Sequence, residues 1–196
     1  MKKTVRFFAP LVLLVALFAL NACSPGSTVR LLHRPADAPQ IPASTAPSIS
    51  VVQLKDARPN PYIGMRRDNT PFIPNGSPSE WVTRSLADAL ARQGLRVTYA
   101  KDIEEARTSG SQYTLTGELQ EAWIREVSRT EIAASVKAFI TVAGPKGRLI
   151  NEGETSSQSK QGVPSGSAAE ELLYNTLQDL VQRVALKAQH AIAAQR

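Results

Sequence analysis

The sequence predicts an α+β fold, a single mostly antiparallel sheet with two principal helices packed on one face. Three observations predict it. Ile132, Ala134, Val136, Ala138, Ile140 and Val142 fall on alternate positions ahead of the turn signal Gly144-Pro145-Lys146-Gly147, which reads as a hairpin with one covered face. Two helices open on capping boxes, Ser77-Pro78-Ser79-Glu80 and Ser167-Ala168-Ala169-Glu170. Ser48 to Leu54 (SISVVQL) is β-rich and apolar, as a buried strand requires.

The elements follow in order. Residues 1–22 read as a signal peptide: a basic stub (Lys2, Lys3, Arg6), an apolar run of 14 residues from Phe7 to Leu20, then small residues before Cys23. That run is shorter than the roughly 20 residues a membrane-spanning helix needs. Residues 23–47 are rich in Pro, Ala and Ser and read as an extended tether, within which Val29 to His33 is compatible with a short edge strand. Residues 48–196 then form one α+β domain. After the first strand, Lys55 to Asn75 holds Pro59, Pro61, Pro71 and Pro74 and reads as a long irregular loop. The first helix carries Trp81, Val82, Leu86, Ala89 and Leu90 at helical spacing and ends at Gly94. Leu95 to Tyr99 is a strand, and Asp102 to Arg107 is a short connection or single helical turn. Tyr113 to Leu119 alternates as a half-covered strand, and Arg148 to Gln158 returns as the hairpin partner of the 132–142 strand. The last helix, opened at Ser167, repeats Leu173, Leu177, Leu180, Val184, Ala188 and Ala191 every three or four positions, a stripe suited to covering the sheet.

Composition narrows the functional classes. The formal charge is +6 over 196 residues, but Lys2, Lys3 and Arg6 lie in the leader, which has no acidic residue, so the processed chain carries only +3. With no block of Lys and Arg to track phosphates, nucleic acid is not expected as a partner. The two histidines, His33 and His190, have no metal-ligand spacing, and no Ser stands in a G-x-S-x-G elbow. No enzymatic activity, cofactor or metal is expected.

Leu20-Asn21-Ala22-Cys23 resembles the lipobox of bacterial lipoproteins. That resemblance implies a diacylglyceryl group on the Cys23 sulfur and an N-acyl chain on its amine after cleavage, so the membrane itself is one partner. Cys23 is the single cysteine of the chain, and acylation removes the lone free thiol that an oxidising compartment discourages. Ser24, rather than Asp, follows the cysteine. By lipoprotein sorting rules this implies the outer membrane, on its periplasmic side.

The segment with the most chemistry is Asp56 to Arg67. Arg58, Arg66 and Arg67 are able to receive an anionic group with Tyr62 as an apolar platform. Equally, Asp56 and Arg58 are able to pair and hold the loop while Gly64 permits a turn. Asp56-Ala57-Arg58 after the first strand, Ile63-Gly64-Met65-Arg66 downstream, the capped helix ending in Gly94 and the closing hairpin and helix together resemble the YajG family of bacterial lipoproteins, over most of residues 48–193. A looser similarity runs to the auxiliary lipoproteins of envelope ABC transporters. The resemblance implies an envelope lipoprotein without assigned catalytic residues. Two functions remain open: an accessory component that docks on an envelope protein, and a binder or carrier of a small anionic or amphiphilic envelope component such as a lipid or cell-wall fragment.

Overall fold

A computed structural model describes residues 27–34 and 45–195. The predicted signal peptide, Cys23, and residues 24–26 and 35–44 of the predicted tether lie outside the described residues. The described elements are β1 (Thr28–Arg30), β2 (Ser48–Val52), β3 (Lys55–Asp56), β4 (Gly64–Met65), β5 (Ile73–Asn75), α1 (Pro78–Arg92), β6 (Arg96–Ala100), α2 (Ile103–Thr108), β7 (Tyr113–Ser128), β8 (Glu131–Gly144), β9 (Gly147–Gln161) and α3 (Gly166–Ala193).

The main sheet has the order β6-β2-β7-β8-β9. Its β7-β8-β9 meander is antiparallel and holds most of the pairing. Its other part is parallel: β2 pairs with both β6 and β7, and β3 and β4 add to β7 further along. The sheet is therefore mixed within the α+β class. β1 and β5 form a separate parallel pair.

The meander is the scaffold because β7 and β8 bury a continuous apolar face, while β9 turns Glu152, Glu154 and Ser156 toward α3 at its margin. Ile132, Ala134, Val136, Ala138, Ile140 and Val142 of β8 are all buried, as are Leu115, Leu119 and Ile124 of β7. α1 and α3 cover this face, through Trp81, Val82, Leu86 and Leu90 on one helix and Leu173, Leu177, Leu180 and Val184 on the other. At about 25 cal/mol per Å² of apolar surface removed from water, this burial is the main stabilising term. α2 instead packs on the opposite face, where Ala106 joins Val52 and Ala100 in a small second cluster. Strand alternation explains this, since Ile49 and Val51 enter the main core while Ser50 and Val52 point away. The Ser50 hydroxyl meets Ser109 Oγ at 2.7 Å and Ser111 Oγ at 2.9 Å.

α1 begins as expected, with Ser77 Oγ accepting from the Glu80 N–H at 3.4 Å. The Glu80 carboxylate does not close the box, however, but pairs with Arg84 one turn on. The helix ends in a Schellman arrangement: Leu95 N donates to Leu90 O, Gly94 N donates to Ala91 O, and Gly94 takes φ 81°. The expected start of the last helix needs correction. Its N-cap is Ser165, whose Oγ accepts from Ala168 N at 3.1 Å, and Glu170 is drawn away from any capping role by Arg30.

Two further expectations change. β7 continues nine residues past Leu119, because a register shift between Leu119 and Glu121 moves the buried set from Leu115 and Leu119 to Ala122 and Ile124. A one-residue slip reverses which side chains face inward, so the alternation breaks while the strand does not. Within the predicted tether, residues 27–34 are docked on the domain: Val29 is buried, Ser27 O accepts from Ile73 N, and Trp81 Nε1 donates to Leu32 O at 2.8 Å.

Candidate functional site

The segment after β2 follows β7 along one edge. β3 pairs with Glu118 and Leu119, the chain leaves the sheet, and β4 rejoins opposite Ile124 and Arg125. Pro59 and Pro61 lie in the interval, and proline has no N–H to give a ladder. The predicted irregular loop is thus an interrupted strand with one excursion.

Asp56 and Arg58 fix the start of that excursion. Arg58 Nε donates to Asp56 Oδ1 at 2.9 Å, Arg58 Nη2 donates to Oδ2 at 2.8 Å, and Arg58 Nη1 donates to Tyr62 O at 3.3 Å. Burial pushes the Asp56 carboxyl up, but the hydrogen bonds and charge of Arg58 outweigh it and leave the group below its ordinary range. Gly64 fixes the return, with φ 149° and so close an approach to β7 that an added Cβ would lie 2.0 Å from Ile124 O. Only glycine fits there without a backbone shift.

Beyond β4, Arg66 Nη1 donates to Glu126 Oε1 at 3.0 Å and its guanidinium lies 4.7 Å from the centre of the Phe72 ring. The Arg67 N–H donates to Glu126 Oε2 at 3.3 Å, and the Arg67 side chain is exposed. The three arginines are therefore not brought together. Arg58 is held by Asp56, which pairs with Leu119, and Arg66 by Glu126, seven residues further along β7 and about 23 Å away at 3.3 Å per residue. A single anion cradle built from all three is not assembled, and the Arg58 and Arg66 forks already hold carboxylates.

What the excursion does assemble is a groove. Arg58, Pro59, Asn60, Tyr62, Gln120 and Trp123 line a surface recess of about 300 Å³. The Tyr62 and Trp123 rings stand 5.8 Å apart at 50°. A second recess, of about 530 Å³, continues from Trp123 over the outer face of the meander, past Arg125, Ser135, Ser157 and Ser159. Ser135 Oγ donates to Glu121 Oε1 between the two. Trp123 was missed by sequence reasoning, because it follows the register shift that ends the visible alternation. The missed signal is the resumption of alternation at Ala122 and Ile124, one residue out of phase.

A second structured region holds the docked N-terminal segment. Glu170 accepts from Arg30 N at 2.9 Å, from Nη2 at 2.9 Å and from Nε at 3.1 and 3.2 Å. These Arg30 hydrogen bonds hold the Glu170 carboxyl below its ordinary range, against the opposing effect of burial. One turn further on, the Arg34 guanidinium lies 4.8 Å from the Tyr174 ring centre. His33 Nε2 stands 3.2 Å from Asp88 Oδ2, and His190 is exposed near the end of α3. Among the described residues no group of three or more His, Cys, Asp or Glu is placed to hold a metal ion. Among them, too, no helix is long and apolar enough to cross a membrane.

The class these features define is an α+β domain whose two long helices cover one face of a mixed sheet, with an aromatic groove on the other. Solved structures share the fold. A Xanthomonas campestris protein of the DUF330 family superposes with a TM-score of 0.58 at 11% identity, over 86% of this chain and 99% of that one. A hypothetical protein from Chlamydia trachomatis gives 0.50 at 12% identity, over 76% and 99%. More distantly similar, and no basis for the fold assignment, is a minor lipoprotein from Acinetobacter baumannii, with a TM-score of 0.44 at 14% identity over 73% of this chain and 92% of that one. No protein-family model and no curated protein matches the sequence.

Proposed function

We propose that this chain is a lipid-anchored envelope lipoprotein of YajG type, a non-catalytic accessory component that docks on an envelope protein at the periplasmic face of the outer membrane. The observation that carries the anchor is Leu20-Asn21-Ala22-Cys23, preceded by a basic stub and an apolar run. Three acyl chains on Cys23 bind a bilayer stably where one binds only marginally. Support for docking comes from the outer face of the meander. Its recesses are open, their lining mixes the small Ser135, Ser157 and Ser159 with the charged Glu121 and Arg125, and Tyr62 with Trp123 supplies the aromatic area in which protein interfaces are enriched.

A second reading is favoured by one observation. The 300 Å³ recess sets two aromatic rings beside Arg58, an arrangement able to receive a small amphiphile or cell-wall fragment. The bidentate Asp56 contact weighs against it, since an anion would have to compete for Arg58.

Crosslinking and affinity capture of the acylated protein from native membranes, with mass spectrometry of both protein and lipid, separates the two. One stoichiometric protein partner supports docking, and a bound small component without a protein supports the carrier. Intact mass of the Cys23→Ala variant tests the anchor, which predicts complete loss of acylation and of membrane association.

A further inference from the structure

The docked N-terminal segment fixes which end of the domain meets the membrane. β1 runs beside the start of α3: Arg30 holds Glu170 in its second turn, and Arg34 lies over Tyr174 one turn later. Traced backwards from Arg30, the chain reaches Ser27 at the N-terminal end of α3, where Ser27 O accepts from Ile73 N at 2.8 Å. Only four residue steps separate Ser27 from Cys23. Even fully extended they span about 14 Å. A free tether of some 25 residues would let the domain stand well clear of the bilayer, but the docking of residues 27–34 removes that freedom.

The surface at this end has the composition of a bilayer contact. The β7–β8 turn lies there, with Gly162 N donating to Thr130 O at 2.9 Å and bringing the loop before α3 alongside. Among the described residues five large hydrophobic side chains are exposed, and three of them, Ile73 (48%), Val127 (43%) and Val163 (80%), belong to this end. Arg67 and Arg129 are exposed beside them, with Asp68 as the exposed acid next to Arg67. Apolar side chains interspersed with arginines suit the interface of a membrane carrying anionic lipid. The opposite end is different: Lys146 in the β8–β9 turn donates to Gln195 O, and it lies about 42 Å away along the 28 residues of α3.

We infer that the end formed by the β7–β8 turn, the 162–164 loop and Ile73 is a phospholipid-contacting surface, held against the bilayer by the acylated Cys23. This rests on the proposed anchor and adds an orientation to it. The domain stands upright, with α3 pointing away from the membrane and the aromatic groove on its flank, available to a partner.

The test uses the full acylated chain in vesicles of phosphatidylethanolamine and phosphatidylglycerol that carry a headgroup quencher. A fluorophore is placed through V163C, R129C or K146C, all at exposed positions. Intact mass and flotation report the anchor separately. Acylated, floating protein quenched at 163 and 129 but not at 146 supports the inference. Acylated, floating protein quenched equally at the three positions, or more at 146, overturns it while leaving the anchor standing. Protein that is not acylated overturns both. In whole envelopes, a photocrosslinker at position 163 should recover phospholipid. Recovery there of a protein, or of a second copy of this chain, overturns the inference.

Discussion

The two faces of the β7–β9 meander follow the same strands and obey opposite rules. The inner face is apolar without interruption from Ile132 to Val142 and is sealed by α1 and α3. The outer face sets Ser135 opposite Ser157 and Ala133 opposite Ser159, and its largest side chain, Trp123, is only half-buried against Tyr62. The difference teaches where stability and recognition reside. Substitutions on the inner face should be read in unfolding, and those on the outer face in binding.

The largest effect should come from the inner face. Ile140→Ala removes a fully buried side chain and should cost about 2–5 kcal/mol in denaturant unfolding, whereas an equal truncation on the outer face should not. Gly64→Ala lies between the faces. It sets a Cβ against Ile124 O at a φ that side chains avoid, so a loss of roughly 3 kcal/mol is expected, with the Asp56–Arg67 segment opening first in hydrogen exchange.

Glu170→Gln should cost about 1 kcal/mol at neutral pH, a modest figure because Arg30 is largely exposed and solvent screens the pair. The folded pKa of Glu170 lies below its unfolded value, so its contribution is fully present above the ordinary carboxylate range and lost as pH falls through the folded value. The gap in stability between the variant and the parent should therefore close in strong acid. A constant gap across acid titration would sever stability from that ion pair. Trp123→Ala should have the smallest effect on unfolding, about 1 kcal/mol or less, while abolishing partner or ligand capture. Unchanged capture would remove the aromatic groove from the proposed function.

The same contrast explains what the sequence could reveal. β8 was legible because one strand with one buried face writes a period of two into consecutive residues, and α1 because Ser77, Pro78 and Gly94 act locally. β3 and β4 were not legible, since two-residue strands have no period and their partners on β7 lie about 60 residues away. The Arg30–Glu170 contact spans 140 residues and leaves no local trace. At the candidate site, pairing of Asp56 with Arg58 and the need for glycine at position 64 could be read from spacing. Trp123 could not, because the shift after Leu119 hides the phase in which it is presented.

β9 is the last strand of the sheet, and molecules held on a membrane surface meet far more often than the same molecules in bulk. A bare outer edge would then invite neighbouring chains to add strands and aggregate. β9 is guarded. Arg183 Nη2 already occupies the Thr155 carbonyl at 2.7 Å, and Lys187 gathers Glu152 and Glu154 against α3. These contacts place fixed charge beside the edge, where any incoming strand would have to desolvate it. For a domain anchored as proposed, crowding on the bilayer would raise the local concentration without turning encounters into polymer.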